Sequence, residues 1–308
     1  MEITELVPSA EKRIVALEIG KDGQAILFRR EEDDRITSFT LPFHPYILVC
    51  DPVFMNGFDG NFRIVPLAGE REFRALIAFD SPNDFDAAKK YLKQVTGFGT
   101  GSPNAPYIAT GDLVQQALIQ NRVRLFAGMT FQDVRRMQID IETLCEPGYD
   151  FSNAAREGDA ICIIGMRDNT GWECAISLKD HTEKELLEDF VKILRDRDPD
   201  IIEGHNLFRL DLPYIDARAK RWKVKLALGR DGSAPSKRNS RFNIAERTVN
   251  YTRYDIFGRH IADTCHLAFF YDAIKRDLDG YGLKTIAKHF GVAANDRTYL
   301  DLDGDDGA

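Results

Sequence analysis

The sequence predicts an α+β region over residues 1–130, followed over residues 131–308 by an α/β region with a mixed central sheet. Three observations predict this. Before residue 130, short apolar segments broken by Pro and Gly precede and flank two helix-spaced stretches. After Arg136, strand-like runs alternate with amphipathic stretches, the order that places helices on the faces of a sheet. A chain of 308 residues with 44% apolar side chains can also bury more than one core.

In the first region, residues 13–29 and 36–50 read as extended. Within ITSFTLPFHPYILVC, Pro42 and Pro45 favour an edge or a bend over one central strand. FDGNFRIVPL (58–67) is a further strand. SPNDFDAAKKYLKQV (81–95) is a helix capped at Ser81 or Asn83, with Phe85, Ala88, Tyr91, Leu92 and Val95 on its apolar face. ATGDLVQQALIQNRV (109–123) is a second helix, with Leu113, Ala117 and Ile119 inward.

The second region opens with the strand RRMQIDIETL. The strands DAICIIGMRD (159–168) and GWECAISL (171–178) follow, joined by a hairpin turn at Asn169, Thr170 and Gly171. KELLEDFVKILRDRD (184–198) is an amphipathic helix with Leu186, Leu187, Phe190, Val191 and Leu194 on one stripe. PDIIEGHN (199–206) is a short buried strand ending at Gly204. DLPYIDARAKRW (211–222) is a helix with Pro213 in its first turn. Residues 223–248 read as a basic loop, HIADTCHL (260–267) as a strand, and GLKTIAKHF (282–290) as a helix. The acidic tail YLDLDGDDGA reads as frayed.

Composition narrows the functional classes. No apolar run reaches membrane-spanning length, and MEITELVPSAEKR lacks the charged-then-apolar pattern of a signal peptide. Five scattered cysteines, an odd number without zinc-site spacing, predict reduced thiols and a cytoplasmic location. The net charge of −8 argues against a simple basic nucleic-acid coat, although ten Lys or Arg face only two acidic residues between Arg218 and Arg247.

The stretch QIDIETL raises the chemical question. Residues two apart in a strand share a face, so Ile139 and Ile141 point one way and Asp140 and Glu142 the other. Two close carboxylates repel, and a hard cation such as Mg²⁺ or Mn²⁺ relieves that repulsion. For a lone pair of this kind, a strand with one solvated face is the commoner explanation. Asp211, at a helix start beyond Gly204, reads either as a third acidic ligand or as a carboxylate favoured by the helix dipole. His205 reads as a packed, hydrogen-bonded histidine.

MQIDIETL, IIEGHNLFRLDLPYIDAR and RYDIFGRHIADTCHLAFFYDAI with YGLKTIAKHFG resemble, in that order, the proofreading 3′–5′ exonuclease domain of family B DNA polymerases. FHPYILV and the helix near 83–95 resemble the N-terminal domain that precedes it. The resemblance implies a ribonuclease-H-like (DnaQ-like) fold for residues 131–308. It implies two Mg²⁺ or Mn²⁺ ions held by Asp140, Glu142 and Asp211 as catalytic and metal-binding residues. Asn206, Phe208, Thr143 and Leu144 are the substrate-binding candidates, with Phe208 preferred over Leu210. The implied reaction releases nucleoside monophosphates from a single-stranded or mispaired DNA 3′ end, as proofreading in replication and repair, with a polymerase domain as a further partner in a longer chain and no membrane.

The sequence departs from the family in two respects, since the palm, fingers and thumb of the polymerase are not in it and the third exonuclease motif is not met. The third motif, a Tyr and an Asp on a helix beyond YGLKTIA, is not reached before Ala308. Asp263 and Tyr281 are weak candidates for its role, and Asp301, Asp303, Asp305 and Asp306 are surrogates without helical context. Two alternatives therefore stand beside the exonuclease: a catalytically incomplete scaffold or single-strand-binding module of a polymerase, and a nuclease of the same fold acting on RNA.

Overall fold

The computed structural model describes residues 10–244 and 247–293. The chain divides into two compact units between Val134 and Arg135.

In the first unit, β1 (Ile14–Ile19), β2 (Ala25–Arg30) and β3 (Ile36–Leu41) form an antiparallel sheet in that order. The stretch 13–29 is thus a hairpin and not one extended segment. Its reversal falls at Asp22-Gly23, where Gly23 adopts a φ of 80°. β4 (Tyr46–Val49), β5 (Phe62–Pro66), β6 (Ala75–Phe79) and β7 (Tyr107–Ile108) form a second sheet in the order β5–β6–β4–β7. The prolines mark the bend between sheets, yet β4 beyond them is an interior strand.

α1 (Pro82–Thr96) starts where the Ser81 side chain accepts the Asp84 amide, and it buries Phe85, Ala88 and Leu92. Val95 lies at the solvent edge, 50% exposed, because the apolar arc is narrower than its spacing suggested. α2 (Leu113–Gln120) leaves Ile119 59% exposed and buries Gln116 instead. That glutamine satisfies two backbone groups, accepting from the Tyr46 amide at 2.8 Å and donating to the Thr110 carbonyl at 2.6 Å.

In the second unit, β8 (Arg136–Thr143), β9 (Ile161–Asp168) and β10 (Glu173–Ser177) form an antiparallel meander. The chain then runs through α3 (Glu183–Arg197), β11 (Ile201–Gly204) and α4 (Asp211–Trp222). β12 (Ser236–Ile244) and β13 (Arg247–Asp255) pair with each other, and β14 (His260–Asp263) leads into α5 (Thr264–Lys275) and α6 (Leu283–His289). The central sheet has the order β10–β9–β8–β11–β14, with β11 parallel to both neighbours. This is the mixed sheet of a ribonuclease-H-like fold. Met137 and Ile139 of β8 and Ile202 of β11 pack with Leu187, Phe190, Leu212 and Ile215 of α3 and α4 in one core.

Three expectations change. The basic stretch 223–248 is only partly loop, since β12 occupies much of it; charged and polar residues on both faces hide the strand periodicity. The run HIADTCHL is a strand only to Asp263, whose side chain accepts the Cys265 amide and starts α5. On α6, Leu283 and Phe290 are 44% and 47% exposed despite their helical spacing. Asp301, Asp303, Asp305 and Asp306 lie outside the described residues. Among the described residues, no helix is long and apolar enough to cross a membrane.

Candidate active site

The alternation of β8 sets up the site. Its inward residues Met137 and Ile139 are buried, while Gln138, Asp140 and Glu142 are exposed on the other face of the sheet. Asp140 lies opposite Gly165 of β9 and lines a cavity of about 610 Å³ together with Glu203, His205 and Thr264. Glu142 lies opposite Ile163, just before a register shift at Thr143. Burial, followed by the charge of Glu142, pushes the Cys162 thiol up.

β11 ends beside Asp140 by a close backbone approach. A Cβ on Gly204 would stand 2.9 Å from the Ile139 carbonyl and closer still to Leu207, so only glycine fits this crossing. Asn206 follows in the left-handed region with φ 72°, which asparagine tolerates better than most residues. The turn then leads into α4, whose first residue is Asp211.

Asp211 is buried, 4% exposed. Burial first, then the charge of Asp140, with a smaller contribution from Asp263, pushes its carboxyl up to about 7 against the pull of its own and the Ile141 amide. The fold therefore brings Asp140 and Asp211 into mutual repulsion across β8 and α4. Glu142 shares the strand face of Asp140. Among the described residues, no three His, Cys, Asp or Glu side chains are grouped so as to hold a metal ion.

The remaining candidates divide clearly. Asp263 is buried and saturated by backbone amides: Oδ1 accepts from Asn206 at 2.8 Å and Cys265 at 3.0 Å, and Oδ2 from Phe208 at 3.1 Å. It holds the Asn206 turn against α5. Tyr281 donates its hydroxyl to Asp272, while its carbonyl lies 2.6 Å from His205 Nε2. His205 Nδ1 meets the Thr264 hydroxyl at 2.9 Å, so both ring nitrogens are engaged in packing the turn.

The expected order of Phe208 and Leu210 is reversed. Phe208 is 8% exposed and stacks on His266 at 5.6 Å, whereas Leu210 is 57% exposed at the start of α4. Thr143 donates to the Ser152 hydroxyl at 2.8 Å, and Leu144 is 46% exposed.

The sequence did not single out the support of the loop after Leu144. Buried Asp159 accepts the amides of Glu146 and Asn153, and its carbonyl accepts the Tyr214 hydroxyl at 2.8 Å. Arg218, buried on α4, binds Glu183 and the carbonyls of Ala154, Arg156 and Glu157. The available signal was spacing: Tyr214 and Arg218 follow Asp211 by one and two helical turns.

Most of the basic stretch is also internally neutralised. Arg218, Lys220, Arg221, Arg230, Lys237 and Arg238 pair with Glu183, Asp216, Glu157, Asp198 with Asp200, Asp216 and Asp255, respectively.

The family model described as DNA polymerase family B, exonuclease domain, matches residues 121–286, more than half of the chain. The chain belongs to this family. Within family B, it is 34% identical over 135 residues to a DNA polymerase of Archaeoglobus fulgidus, covering 44% of this chain and 16% of that one. A DNA polymerase of Pyrococcus glycovorans is 31% identical over 143 residues, covering 44% and 17%. The chain thus spans only part of the length of the relatives it matches. The solved family B DNA polymerase of the hyperthermophilic archaeon Pyrobaculum calidifontis superposes with a TM-score of 0.62 at 16% identity, over 90% of this chain and 39% of that one. This likeness extends the shared fold to nearly the whole family B chain.

Proposed function

We propose that this chain supplies the 3′–5′ exonuclease of a family B DNA polymerase, releasing nucleoside monophosphates from single-stranded or mispaired DNA ends. The observation that carries the reading is Asp211, a buried carboxyl held near neutral pH by burial and by Asp140. An all-oxygen set of Asp140, Asp211 and Glu142 suits hard divalent cations, Mg²⁺ or Mn²⁺, and a cation removes the repulsion that raises Asp211. When bound, two such ions supply Lewis acidity toward a water nucleophile and toward the leaving 3′ oxygen.

The chain's own residues position the substrate and the proton. Asp211 loses its proton as a cation-binding carboxylate, and the Ile141 amide favours that form. Glu142, on the solvent face of β8, orients the attacking water. Asn206 and exposed Leu210 contact the terminal nucleotide from the turn before α4, and Thr143 and Leu144 from the strand end. The likeness to family B DNA polymerases supports DNA in place of RNA and a polymerase domain as partner, and the five scattered cysteines support a cytoplasmic location.

The test is cleavage of a 5′-labelled single strand with Mg²⁺ or Mn²⁺, comparing the parent chain with Asp140→Ala and Asp211→Asn. Stepwise monophosphate release lost in both variants supports the reading; release retained in either removes that residue from the chemistry. A second reading, a single-strand-binding module without cleavage, is favoured by the lack of a preformed three-ligand group among the described residues. DNA binding by the parent chain with no monophosphate release would establish it.

A further inference from the structure

The turn after β11 contains more hydrogen-bond contacts than a neutral histidine can supply with protons. His205 Nε2 lies 2.6 Å from the Tyr281 carbonyl, and Nδ1 lies 2.9 Å from the Thr264 hydroxyl. That hydroxyl donates in turn to the Gly204 carbonyl at 3.0 Å. Each of these three contacts needs one proton. The two carbonyls supply none, the threonine supplies one, and a neutral imidazole supplies one more. Two protons cannot fill three contacts. An imidazolium brings the total to three: Nε2 donates to Tyr281, Nδ1 to Thr264 Oγ1, and Thr264 to Gly204.

Both partners of the ring are fixed by other contacts. The Tyr281 hydroxyl donates to Asp272, and its ring packs against Phe269 with centroids 4.5 Å apart. Thr264 is the first residue of α5, directly after Asp263, whose carboxylate accepts the amides of Asn206, Phe208 and Cys265. The charges around the ring suit a cation. Asp140 of β8, Glu173 of β10 and Glu203 of β11 share its cavity with a single guanidinium in the lining, Arg167 of β9. Cys174 of β10 and the apolar Leu283 of α6 also face it. Glu203 is paired with Arg136, and among the described residues no carboxylate pairs with the imidazole itself. The ring protons therefore go to neutral oxygens that the fold holds in place.

We propose that His205 is a positioning residue that clamps the turn carrying Asn206 in its doubly protonated form, and that loss of one ring proton opens one of the three contacts and loosens the turn. It acts through Asn206, the next residue, which the turn holds at φ 72°. The count fixes the direction: the turn is closed at low pH and loosens as the pH rises and the ring becomes neutral. The consequence for substrate rests on the proposed function, whereas the proton count rests on the geometry of the turn alone.

The experiment is nitrogen NMR of the imidazoles of the full chain in EDTA, between about pH 5 and about pH 9. His205→Gln identifies the resonances, and amide exchange at Asn206 and Phe208 is read alongside as protection factors. Both His205 nitrogens are expected to carry protons at about pH 7. Protection of the two amides is expected to fall by about fivefold to tenfold as one proton leaves, the worth of one hydrogen bond. The glutamine variant has no ring to titrate and should show protection that does not vary with pH. Thr264→Val removes two of the three contacts, so a neutral ring suffices; the second proton is expected to leave at a pH lower by about one unit than in the parent. A single protonated nitrogen at neutral pH, an equal fall of protection in His205→Gln, or an unchanged titration in Thr264→Val would each overturn the proposal. In cleavage assays with Mg²⁺, the KM for a single-stranded end is expected to rise through the same transition in the parent and not in His205→Gln. A KM that ignores the transition would overturn the positioning role, while a chain that cleaves nothing would overturn the exonuclease reading alone, since the spectra read the proton count without metal.

Discussion

Glu183 and Asp211 occupy the same position in two packed helices. Each is the first residue of its helix, each carries a carboxylate, and each is about 5% exposed or less. Their surroundings are opposite. Burial pushes Glu183 up, but hydrogen bonds from Arg218, the Ile161 amide and Trp222 outweigh it, and its carboxyl lies below the usual range. Asp211 faces Asp140 and Asp263 and is raised to about 7. The helix dipole is common to both ends, so it does not distinguish them. The partner set does: one carboxylate is a structural fastener, and the other is held in a state that a cation would relieve.

The largest effect that separates them is chemical. Asp211→Asn is expected to lower monophosphate release by about 10³-fold or more, some 4 kcal/mol in the barrier, while Glu183→Gln acts on kcat only through stability. A single-turnover assay at a temperature where both variants are folded distinguishes the two. Equal losses there would erase the comparison.

Next in size is folding. Arg218→Met leaves Glu183 buried without its cation, and urea unfolding is expected to show a loss of about 3–5 kcal/mol. Protease cleavage in the loop 145–160, which Arg218 holds through three carbonyls, should accelerate in step.

The pH dependence follows, with opposite signs at the two helices. Asp211 has a folded value above its unfolded one, so its stabilising contribution is complete below about pH 4 and is lost as the pH rises through 7. Glu183 is depressed, so its contribution is present above its unfolded value near 4.5 and is lost as the pH falls through its lower folded value. Thermal melts in EDTA should therefore show Asp211→Asn more stable than the parent at pH 8, by on the order of 2–4 kcal/mol, with the gap closing toward pH 4. Mg²⁺ at pH 8 should narrow the gap by stabilising the parent. A gap independent of pH would contradict the raised carboxyl.

The smallest effect concerns the caps. α3 begins with a complete capping box between Thr182 and Glu185, whereas Leu210 gives α4 no side-chain cap. Thr182→Ala is expected to cost about 1 kcal/mol, and Leu210→Ala less than about 0.5 kcal/mol. Leu210→Ala should instead raise the KM for a single-stranded end, a readout that a purely structural residue would not move.

Legibility in the sequence followed the range of the interaction. The stripe Leu186, Leu187, Phe190, Val191 and Leu194 and the Ser81 cap were readable because their partners lie within a few residues. The start of α5 was not, since the apolar run after Asp263 imitates a strand, and the capping role of Asp263 depends also on the distant amides of Asn206 and Phe208. β12 was missed because its charges sit on both faces. Its salt bridges to Asp216 and Asp255 appear only once the hairpin lies against α4 and closes on itself.

By itself, the sequence determined the alternation that sets Asp140 and Glu142 on one strand face, the helix that begins at Asp211, and the motifs that mark the family. These depend on local geometry, with periods of two and 3.6 residues. Only the tertiary structure decided that Phe208 packs inward while Leu210 faces solvent, that most of the basic stretch is neutralised, and that Asp211 rather than Glu183 carries a raised carboxyl. Each of these turns on burial and on charges brought together from distant parts of the chain, and electrostatic energy depends on distance and dielectric environment, which folding alone sets.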